Sequence, residues 1–467
     1  MQLIYSPTPP AGTKLTVRVV TEDAFANASG IEAFLSASAK TAGGLAFTSD
    51  GQALVGVGNG KPKGCLTAGR KLAAGLAEAG AEEVHVDLGD LNPDAALAFL
   101  RGMHVGGYQL GQWRGEGPKA PPTLKLSVSG SALRTSGEQV LAKAEALAAG
   151  QMAAMHLVDR PANPKKPKDV ASYVEALGKE HGFAVETLDE EALEVQGWTG
   201  VLSVGRASAY PPRVLKLSYE GGDAYHLGLV GKGITFDTGG ISIKPSQNMG
   251  FMKSDLGGAA AVLGAFVATA KLGLPVKLHG ILCVAENAVS GDAYLPSDVI
   301  RNYSGKTIEI VDTDAEGRLV MADALAYFPE WQTPDLTMDL ATLTGSAVRT
   351  FGYECAAMFS HDVDVQAALA EAGEHHGERV WPLPLWEEYE ADIKSDVADV
   401  KHFHGKPIAG AINAAKFLEF FVADKARWAH LDIAGVAFGA NEFAKDRSAT
   451  GYGVALLTQF LIDKTDG

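Results

Sequence analysis

The chain has 467 residues, of which 46% are hydrophobic and 21% charged, a composition typical of a globular protein with more than one domain. Its formal net charge of −16 argues against binding to nucleic acid or an anionic membrane surface, because phosphate binding needs clustered lysines and arginines. No apolar run approaches the roughly 18 residues of a membrane-spanning helix, and the N-terminus lacks the pattern of a signal peptide. The three cysteines are widely spaced, which favours a reducing, cytoplasmic setting.

Residues 1–160 are predicted to form a smaller N-terminal α/β domain. Strand-like runs such as 14–20 and 83–88 alternate with alanine-rich helical segments such as 137–149. This part of the sequence contains no metal-ligand cluster and no nucleophile motif, so we expect a scaffold or assembly role. Three prolines within seven residues mark the end of this domain: Pro161, Pro164 and Pro167.

Residues 161–467 are predicted to form a larger α/β domain around a mostly parallel sheet, with helices on both of its faces. Short, continuous apolar blocks such as 226–230, 277–284 and 335–340 alternate with helical segments such as 257–271. In sheets of this kind, ligands bind beyond the carboxyl ends of the strands. Charged residues that follow the apolar blocks are therefore candidates for a functional site.

Two segments of this second domain place charged residues after apolar strands. The first begins at Gly231, carries Lys232 and Asp237, and continues through Lys244 to Asp255. The second, residues 312–319, reads DTDAEGRL. Its carboxylates at 314 and 316 are two residues apart, so in an extended segment both would project to the same side.

Four carboxylates brought within a few ångströms would repel one another unless cations lay between them. Carboxylate oxygens suit divalent magnesium, manganese and zinc ions, so the pattern favours a metal centre. Each carboxylate alone also fits a cap, a turn or a surface position, and Asp255 in particular could cap the helix that follows it. The argument for metal therefore depends on the whole set: Asp237, Asp255, Asp314 and Glu316.

The basic residues of the two segments have two interpretations each. Lys232, placed at the end of a strand, could bind a metal as a neutral amine or form a salt bridge to an aspartate. Lys244 and Arg318 could stabilise an oxyanion, or they could only neutralise the carboxylates. Spacing in the sequence does not decide between these interpretations.

The two segments resemble the signatures of the leucyl aminopeptidase family, the M17 cytosol aminopeptidases, which are two-metal exopeptidases. The octapeptide matches the family pattern NTDAEGRL at every position except the first, where Asp312 replaces asparagine. The likeness spans about residues 157–457, whereas the N-terminal third is similar only in size and α/β character. Ser297 also departs from the family, which commonly has glycine there, and we expect this change to affect a turn.

The resemblance implies a role for each charged residue of the site. Asp237 and Glu316 would bridge two metals, Lys232 and Asp255 would complete the tighter site, and Asp314 would complete the more exchangeable one. Lys244 would bind the substrate carbonyl and its oxyanion. Arg318 would hold a bicarbonate ion that acts as the general base. The metals implied are manganese or zinc, with magnesium or cobalt as alternatives.

The resemblance further implies a peptide substrate with a free N-terminus, whose α-amine approaches Asp255, and a homohexameric assembly. The walls of an apolar side-chain pocket would come from Met252, Thr342, Leu343, Gly345, Ala434 and Ala437. Ala437 stands where some relatives carry methionine, so the pocket is expected to accept leucine, methionine and aromatic side chains.

The most direct interpretation of these features is a metal-dependent aminopeptidase that prefers leucine and other apolar N-terminal residues. One alternative is a nucleic-acid-binding regulator on the same scaffold, which would need a basic groove that this acidic sequence does not indicate. Others are an assembly protein without activity, which the intact ligand set disfavours, and a two-metal amidase that does not need a free amine.

Overall fold

The computed structural model describes residues 1–22, 41–47, 52–117 and 124–465. The chain divides into two compact units, each of which has its own sheet. The first comprises residues 1–152, 374–378 and 442–444, and the second comprises the rest. The fold is therefore α/β with a smaller N-terminal unit, as the alternation of apolar blocks predicts.

The first unit is built on a six-stranded sheet with the order β1-β6-β5-β2-β4-β3. All neighbouring strands are parallel except the β3–β4 pair. The strands are β1 (Gln2–Tyr5), β2 (Leu15–Val20), β3 (Leu45–Phe47), β4 (Gln52–Gly56), β5 (Val84–Asp87) and β6 (Lys125–Ser129), and the helices are α1 (Pro62–Glu78), α2 (Pro93–Val105) and α3 (Gly137–Asp159). The sequence also has a strand-like run at 123–128, and the first residue of this run lies outside the described ranges.

The second unit contains an eight-stranded sheet with the order β15-β14-β17-β13-β9-β10-β8-β7. Its four central strands, β17, β13, β9 and β10, are mutually parallel. The strands of this unit are β7 (Ala184–Leu188), β8 (Arg213–Glu220), β9 (His226–Asp237), β10 (Lys277–Asn287), β11 (Val299–Arg301), β12 (Thr307–Glu309), β13 (Leu336–Ala341), β14 (Ala356–Ser360), β15 (Val380–Pro382), β16 (Val400–Lys401), β17 (Trp428–Asp432), β18 (Phe438–Gly439) and β19 (Ser448–Ala449).

The helices of the second unit cover both faces of its sheet. They are α4 (Pro167–His181), α5 (Glu190–Gln196), α6 (Thr199–Gly205), α7 (Gly257–Leu272), α8 (Gly317–Trp331), α9 (Gly345–Phe351), α10 (Val363–His376), α11 (Gly410–Glu419) and α12 (Val454–Thr465). Gly231 of β9 lies against the backbone of Ala259 in α7, and the next residue, Lys232, contacts Gly317 at the start of α8. Since successive residues of a strand face opposite sides, α7 and α8 lie on opposite faces.

Among the described residues, Met249–Leu272 is the one stretch long and apolar enough to cross a bilayer by length and composition. In the structure, 83% of its apolar window is buried. Helix α7, which makes up most of this stretch, contacts β9, β10 and β13 and is packed by α4 and α12. Its apolar character is therefore explained by packing in the core of the second unit.

Ser297, which stands where relatives commonly have glycine, has a φ of +80°. This is the left-handed region, which side chains with a Cβ seldom adopt. Its backbone N–H donates to the carbonyl of Ile310 at 2.7 Å. The departure from the family pattern thus falls on a turn, as expected, and it places a serine in a conformation that favours glycine.

Candidate active site

The charged residues of both sequence segments meet beyond the carboxyl ends of the central strands. Asp237 is the last residue of β9, and Asn287, the last residue of β10, pairs with it in the sheet register. Thr342 directly follows β13. Asp255 precedes α7, and Glu316 immediately precedes α8. The topology therefore brings together residues up to 105 positions apart at one edge of the sheet.

Lys232 lies inside β9 rather than at its end, because the strand continues to Asp237. Its Nζ is 2.9 Å from Oδ2 of Asp255 and 2.8 Å from Oε1 of Glu316, and it donates to the carbonyl of Thr342 at 3.1 Å. A Cβ at position 317 would lie 2.6 Å from this amine, so Gly317 leaves the space that the lysine occupies. Lys232 thus forms ion pairs with Asp255 and Glu316 in this structure.

Lys244 forms the second ion-pair centre of the site. Its Nζ lies 2.8 Å from Oδ2 of Asp237 and also pairs with Oδ1 of Asp314. The side chain of Asp237 is buried, and that of Asp314 is about one third exposed. The two lysines thus divide the four carboxylates between them.

Burial dominates the protonation of these groups. It raises the pKa of Asp255 well above its ordinary value against the opposing charge of Lys232. Burial and then the charge of Asp237 raise the pKa of Asp314 to about 7. For Glu316 burial acts in the same direction, but Lys232 and Lys244 outweigh it and lower its pKa. For both lysines the neighbouring carboxylates outweigh burial, so their pKa values are raised.

The cluster has more negative charge and more acceptor atoms than the protein itself satisfies. Four carboxylates meet two ammonium groups, so two carboxylate charges have no ammonium partner when all four groups are ionised. Three buried oxygens, Oδ2 of Asp255, Oδ1 of Asp314 and Oε1 of Glu316, accept no hydrogen bond of good geometry, although each lies close to a lysine. Ligand oxygens of Asp237, Asp255 and Glu316 lie within 4.8 Å of one another. This arrangement is suited to divalent cations.

Two possibilities raised by the sequence are not realised in the local geometry. Residues 312–316 form a turn rather than an extended segment, and Glu316 has helical dihedral angles at the N-terminus of α8. The two carboxylates of this segment therefore pair with different lysines. Asp255 does not cap α7, because Leu256 is the N-cap residue and Asp255 instead accepts a hydrogen bond from Oγ1 of Thr342 at 2.8 Å.

Asp237 is held by residues whose role the sequence analysis did not identify. Nδ2 of Asn287 donates to Oδ1 of Asp237 at 2.8 Å and to the carbonyl of Thr313 at 3.0 Å. The same carbonyl accepts from the hydroxyl of Tyr294 at 2.9 Å. These contacts fix the octapeptide loop against the end of β9. The sequence signal that could have identified Asn287 is its position as a polar residue at the end of the apolar strand next to β9.

Arg318 is fully buried beside the cluster, at the start of α8. Its Nη1 donates to the carbonyl of His402 at 2.6 Å and to Oδ1 of Asn413 at 3.0 Å, whereas its Nε has no hydrogen-bond partner. Burial lowers the pKa of Arg318 to about 10, so the guanidinium remains charged near neutral pH. His402 in turn makes a 2.7 Å hydrogen bond to the carbonyl of Asp312. His402 thus connects Arg318 to the loop of residues 312–316.

The residues expected to line a side-chain pocket lie on three segments around Asp255. Thr342 and Ala437 both approach Gly257, where a Cβ would lie 2.8 Å and 3.0 Å from their side chains. Oδ1 of Asp432 accepts from the backbone N–H groups of Leu343 and Ala434, at 3.2 Å and 3.1 Å. Of the remaining two residues, Met252 lies in the 3-10 helix before Asp255, and Gly345 is exposed at the start of α9.

Comparison with known proteins decides the family. Residues 152–458 match the model of the cytosol aminopeptidase family, catalytic domain. The chain belongs to this family. A probable cytosol aminopeptidase of Chlorobium limicola is 42% identical over 434 residues, which are 88% of this chain and 85% of the relative. A probable cytosol aminopeptidase of Geobacter sulfurreducens is 41% identical over 423 residues, or 87% and 84% of the two chains.

A solved structure of the bottromycin maturation enzyme BotP in complex with Mn is similar over 97% of this chain and 100% of that one, with a TM-score of 0.86 and 31% identity. The family is metal-dependent, and the acidic cluster agrees with this property. The protein is thus an aminopeptidase, a hydrolase that acts on peptides.

Proposed function

We propose that this aminopeptidase holds two divalent cations, manganese or zinc with magnesium or cobalt as alternatives, and prefers peptides that begin with leucine or another apolar residue. The observation that carries the proposal is the excess of buried carboxylates over ammonium groups in the cluster. Buried, uncompensated charge is costly, and paired cations would compensate it. When bound, they would polarise the scissile carbonyl and lower the pKa of a water nucleophile.

Each carboxylate has a place in this proposal. Asp237 and Glu316 would be shared by both cations, Asp255 and Lys232 would complete one site, and Asp314 would complete the other. The buried oxygens of Asp255, Asp314 and Glu316 support this assignment, because each meets only a lysine amine without a hydrogen bond of good geometry, and a cation could take the place of that amine. As a ligand, Lys232 would be a neutral amine, a form that neighbouring cations favour.

The remaining groups would orient the substrate and move protons. Asp255, fixed by the hydroxyl of Thr342, would receive the α-amine of the substrate, which explains removal of N-terminal residues only. Lys244, once cations replace it as the partner of Asp237 and Asp314, would donate to the substrate carbonyl and stabilise its oxyanion.

Arg318 would hold a bicarbonate ion that takes the proton of the attacking water. The buried Nε of Arg318 supports this role, because it is a charged donor without a hydrogen-bond partner. The other side of its guanidinium is held in place by His402 and Asn413, so it cannot turn freely. In the part of the chain that the structure describes, the four carboxylates form their ion pairs with lysines, which is consistent with an external base.

The side-chain pocket would be formed by Met252, Thr342, Leu343, Gly345, Ala434 and Ala437. The small side chain of Ala437, beside Thr342 and close to Asp255, would leave room for a leucine.

We also include in the proposal a homohexamer in the cytoplasm, in which residues 1–160 form the assembly domain and residues 161–467 form the catalytic domain. A clean monomer in sedimentation at micromolar concentration would contradict the hexamer.

The decisive experiment measures hydrolysis of leucine p-nitroanilide after chelation, and then after separate addition of manganese, zinc, magnesium or cobalt. Activity should vanish on chelation and return with at least one metal, and binding should saturate at two ions per chain. Activity that persists in the chelated protein, or one ion per chain at full activity, would contradict the proposal.

Two substrate comparisons test specificity with the same enzyme. N-acetylation of leucine p-nitroanilide should abolish turnover, because the free α-amine is lost; an enzyme that tolerates the block would instead be an amidase. The leucine substrate should be cleaved faster than the alanine substrate. Equal rates would contradict the preference for large apolar residues while leaving the metal mechanism intact.

A further inference from the structure

Lys165 is completely buried in the connection between α3 and α4. The sequence around it, PKKPK at 164–168, is a proline-rich basic stretch of the kind that usually forms an exposed turn. Its neighbour Lys166 pairs with Glu286, and Lys168 is exposed. Lys165 itself forms no salt bridge with any residue that the structure describes. Burial of a lysine without an ion pair is costly, so its other contacts need a physical reason.

The amine of Lys165 donates to two backbone carbonyls. One is the carbonyl of Val158, at 2.9 Å, in the last turn of α3, where carbonyls have no partner within the helix. The other is the carbonyl of Lys253, at 2.5 Å, in the 3-10 helix Met249–Ser254. Nζ of Lys253 donates in turn to the carbonyl of Asp159 at 3.1 Å. The two lysines thus join the end of α3 to the 3-10 helix from both sides.

These contacts do not depend on a charge on Lys165. Burial, and then the charge of Lys253, lower the pKa of Lys165 well below its ordinary value, with Asp159 acting against this shift and Arg160 in its direction. The ammonium form has three N–H groups and the neutral amine has two, so either form can serve both carbonyls. Lys165 therefore acts as a hydrogen-bonded anchor rather than as a member of an ion pair.

The 3-10 helix that Lys165 holds leads directly into the candidate active site. It contains Met252, and Asp255 follows it. Residues 245–248, which precede it, are exposed, and Asn248 has a left-handed φ of +67°. Hydrogen bonds in 3-10 helices have poorer geometry than those in α-helices, and the backbone N–H of Asp255 donates to the carbonyl of Met252 at 3.3 Å. Contacts from outside are therefore needed to keep this segment in place.

We propose that Lys165 is a positioning residue for substrate binding, because it fixes the backbone from which Met252 and Asp255 reach the substrate. The hydroxyl of Thr342 orients the carboxylate of Asp255, whereas Lys165 holds the main chain two residues earlier. The inference rests on the proposed function, in which Met252 lines the side-chain pocket and Asp255 receives the α-amine. Lys165 acts through the carbonyl of Lys253 and does not touch the substrate.

The kinetic test compares the wild type, Lys165→Met and the control Lys168→Met, which changes an exposed lysine of the same stretch. Methionine keeps an unbranched side chain in the buried space but has no donor. At saturating metal, Lys165→Met should raise KM for leucine p-nitroanilide about 10-fold with kcat nearly unchanged, because binding contacts common to the ground and transition states are weakened. Its preference for leucine over alanine should shrink, and the control should retain the wild-type values.

Amide hydrogen exchange of the same full-length proteins gives a measure that is independent of turnover. Exchange in residues 249–256 should become about 10-fold faster in Lys165→Met, while exchange in β9 and β10 stays at the wild-type rate. Faster exchange in these central strands as well would indicate a general loss of stability and would overturn the positioning role.

An unchanged KM or unchanged exchange in Lys165→Met, with a wild type that prefers leucine, would overturn this inference alone. A wild type that cleaves the leucine and alanine substrates equally would overturn the proposed pocket and this inference together. If Lys165→Met does not fold, Lys253→Met takes its place, because that side chain is partly buried and supplies the reciprocal bond to Asp159. The same two shifts are expected there, and their absence would overturn the proposal.

Discussion

The second unit contains carboxylates in two regions that differ in the hydrogen-bond donors that reach them. Asp323, in the middle of α8, is fully buried and accepts backbone N–H groups of Val201 and Tyr303, at 3.0 Å and 2.8 Å. At the start of the same helix, Glu316 and its neighbours keep oxygens without hydrogen bonds. Asp323 is thus supplied with donors by the backbone, whereas these oxygens of the cluster meet only lysine amines.

The comparison predicts opposite consequences for loss of charge in the two regions. Glu316→Gln should reduce kcat/KM for leucine p-nitroanilide by at least ~10³-fold, since the several kcal/mol that metal ions contribute to the transition state would be lost. The exposed Glu388→Gln serves as the control. Activity within about tenfold of wild type would remove Glu316 from the ligand set.

Asp323→Ala should act on stability instead. Removing this acceptor leaves two buried N–H groups without partners, at a cost of about 1–3 kcal/mol each, so we expect a loss of about 3 kcal/mol in the free energy of unfolding. Urea denaturation measures this loss, and kcat/KM of the folded variant should stay close to that of the wild type. A large fall in kcat/KM with unchanged stability would mean that the two regions are not distinct.

Asn287 lies between these extremes, because it supports a proposed ligand without being one. Asn287→Ala removes the donor that orients Asp237, so the apparent metal affinity should fall about 10- to 100-fold. Metal titration of activity should show this shift, with much of kcat recovered at saturating metal. A kcat that stays low at saturation would instead indicate that Asn287 acts in the reaction itself.

The smallest expected effect is the pH dependence due to His402. Burial, and then the charge of Arg318, lower its pKa from 6.5 to about 4 in the folded state. Between these values the unfolded state binds a proton that the folded state does not, so stability falls as the pH falls from about 6.5 to about 4. At about pH 5.5 the loss is about 1.4 kcal/mol, and His402→Gln should abolish it. Parallel stability–pH curves for both proteins would contradict this assignment.

The sequence predicts the architecture well, since the apolar blocks that begin at His226 and Lys277 are β9 and β10. The end of β9 is harder to predict, because Gly231 and Gly233 suggest that the strand stops. In the structure they lie within the strand, where a Cβ would meet Ala259 at 2.6 Å and the carbonyl of Cys283 at 2.7 Å. The strand therefore continues past Lys232 because the glycines allow close packing, which depends on contacts distant in sequence.

The charged residues of the site could be identified from the sequence because they lie in two short, specific segments. Their partners could not, because Asn287 and His402 reach the site only through strand register and loop packing. The pairing of His226 with His279 is of the same kind. These histidines are 53 positions apart in the chain, and the register of β9 and β10, which aligns His226 with Lys277, brings their ring nitrogens within 2.8 Å.

The contact between Lys232 and Gly317 has a consequence for how this enzyme can vary. Any side chain at position 317 would occupy the volume of the Lys232 amine, so a change at one of these positions demands a change at the other. Two segments 85 residues apart are thus constrained to evolve as a unit. In directed evolution, single substitutions at position 317 should be recovered only as inactive clones, whereas Ala437, on the proposed pocket wall, should tolerate substitutions that change the substrate preference.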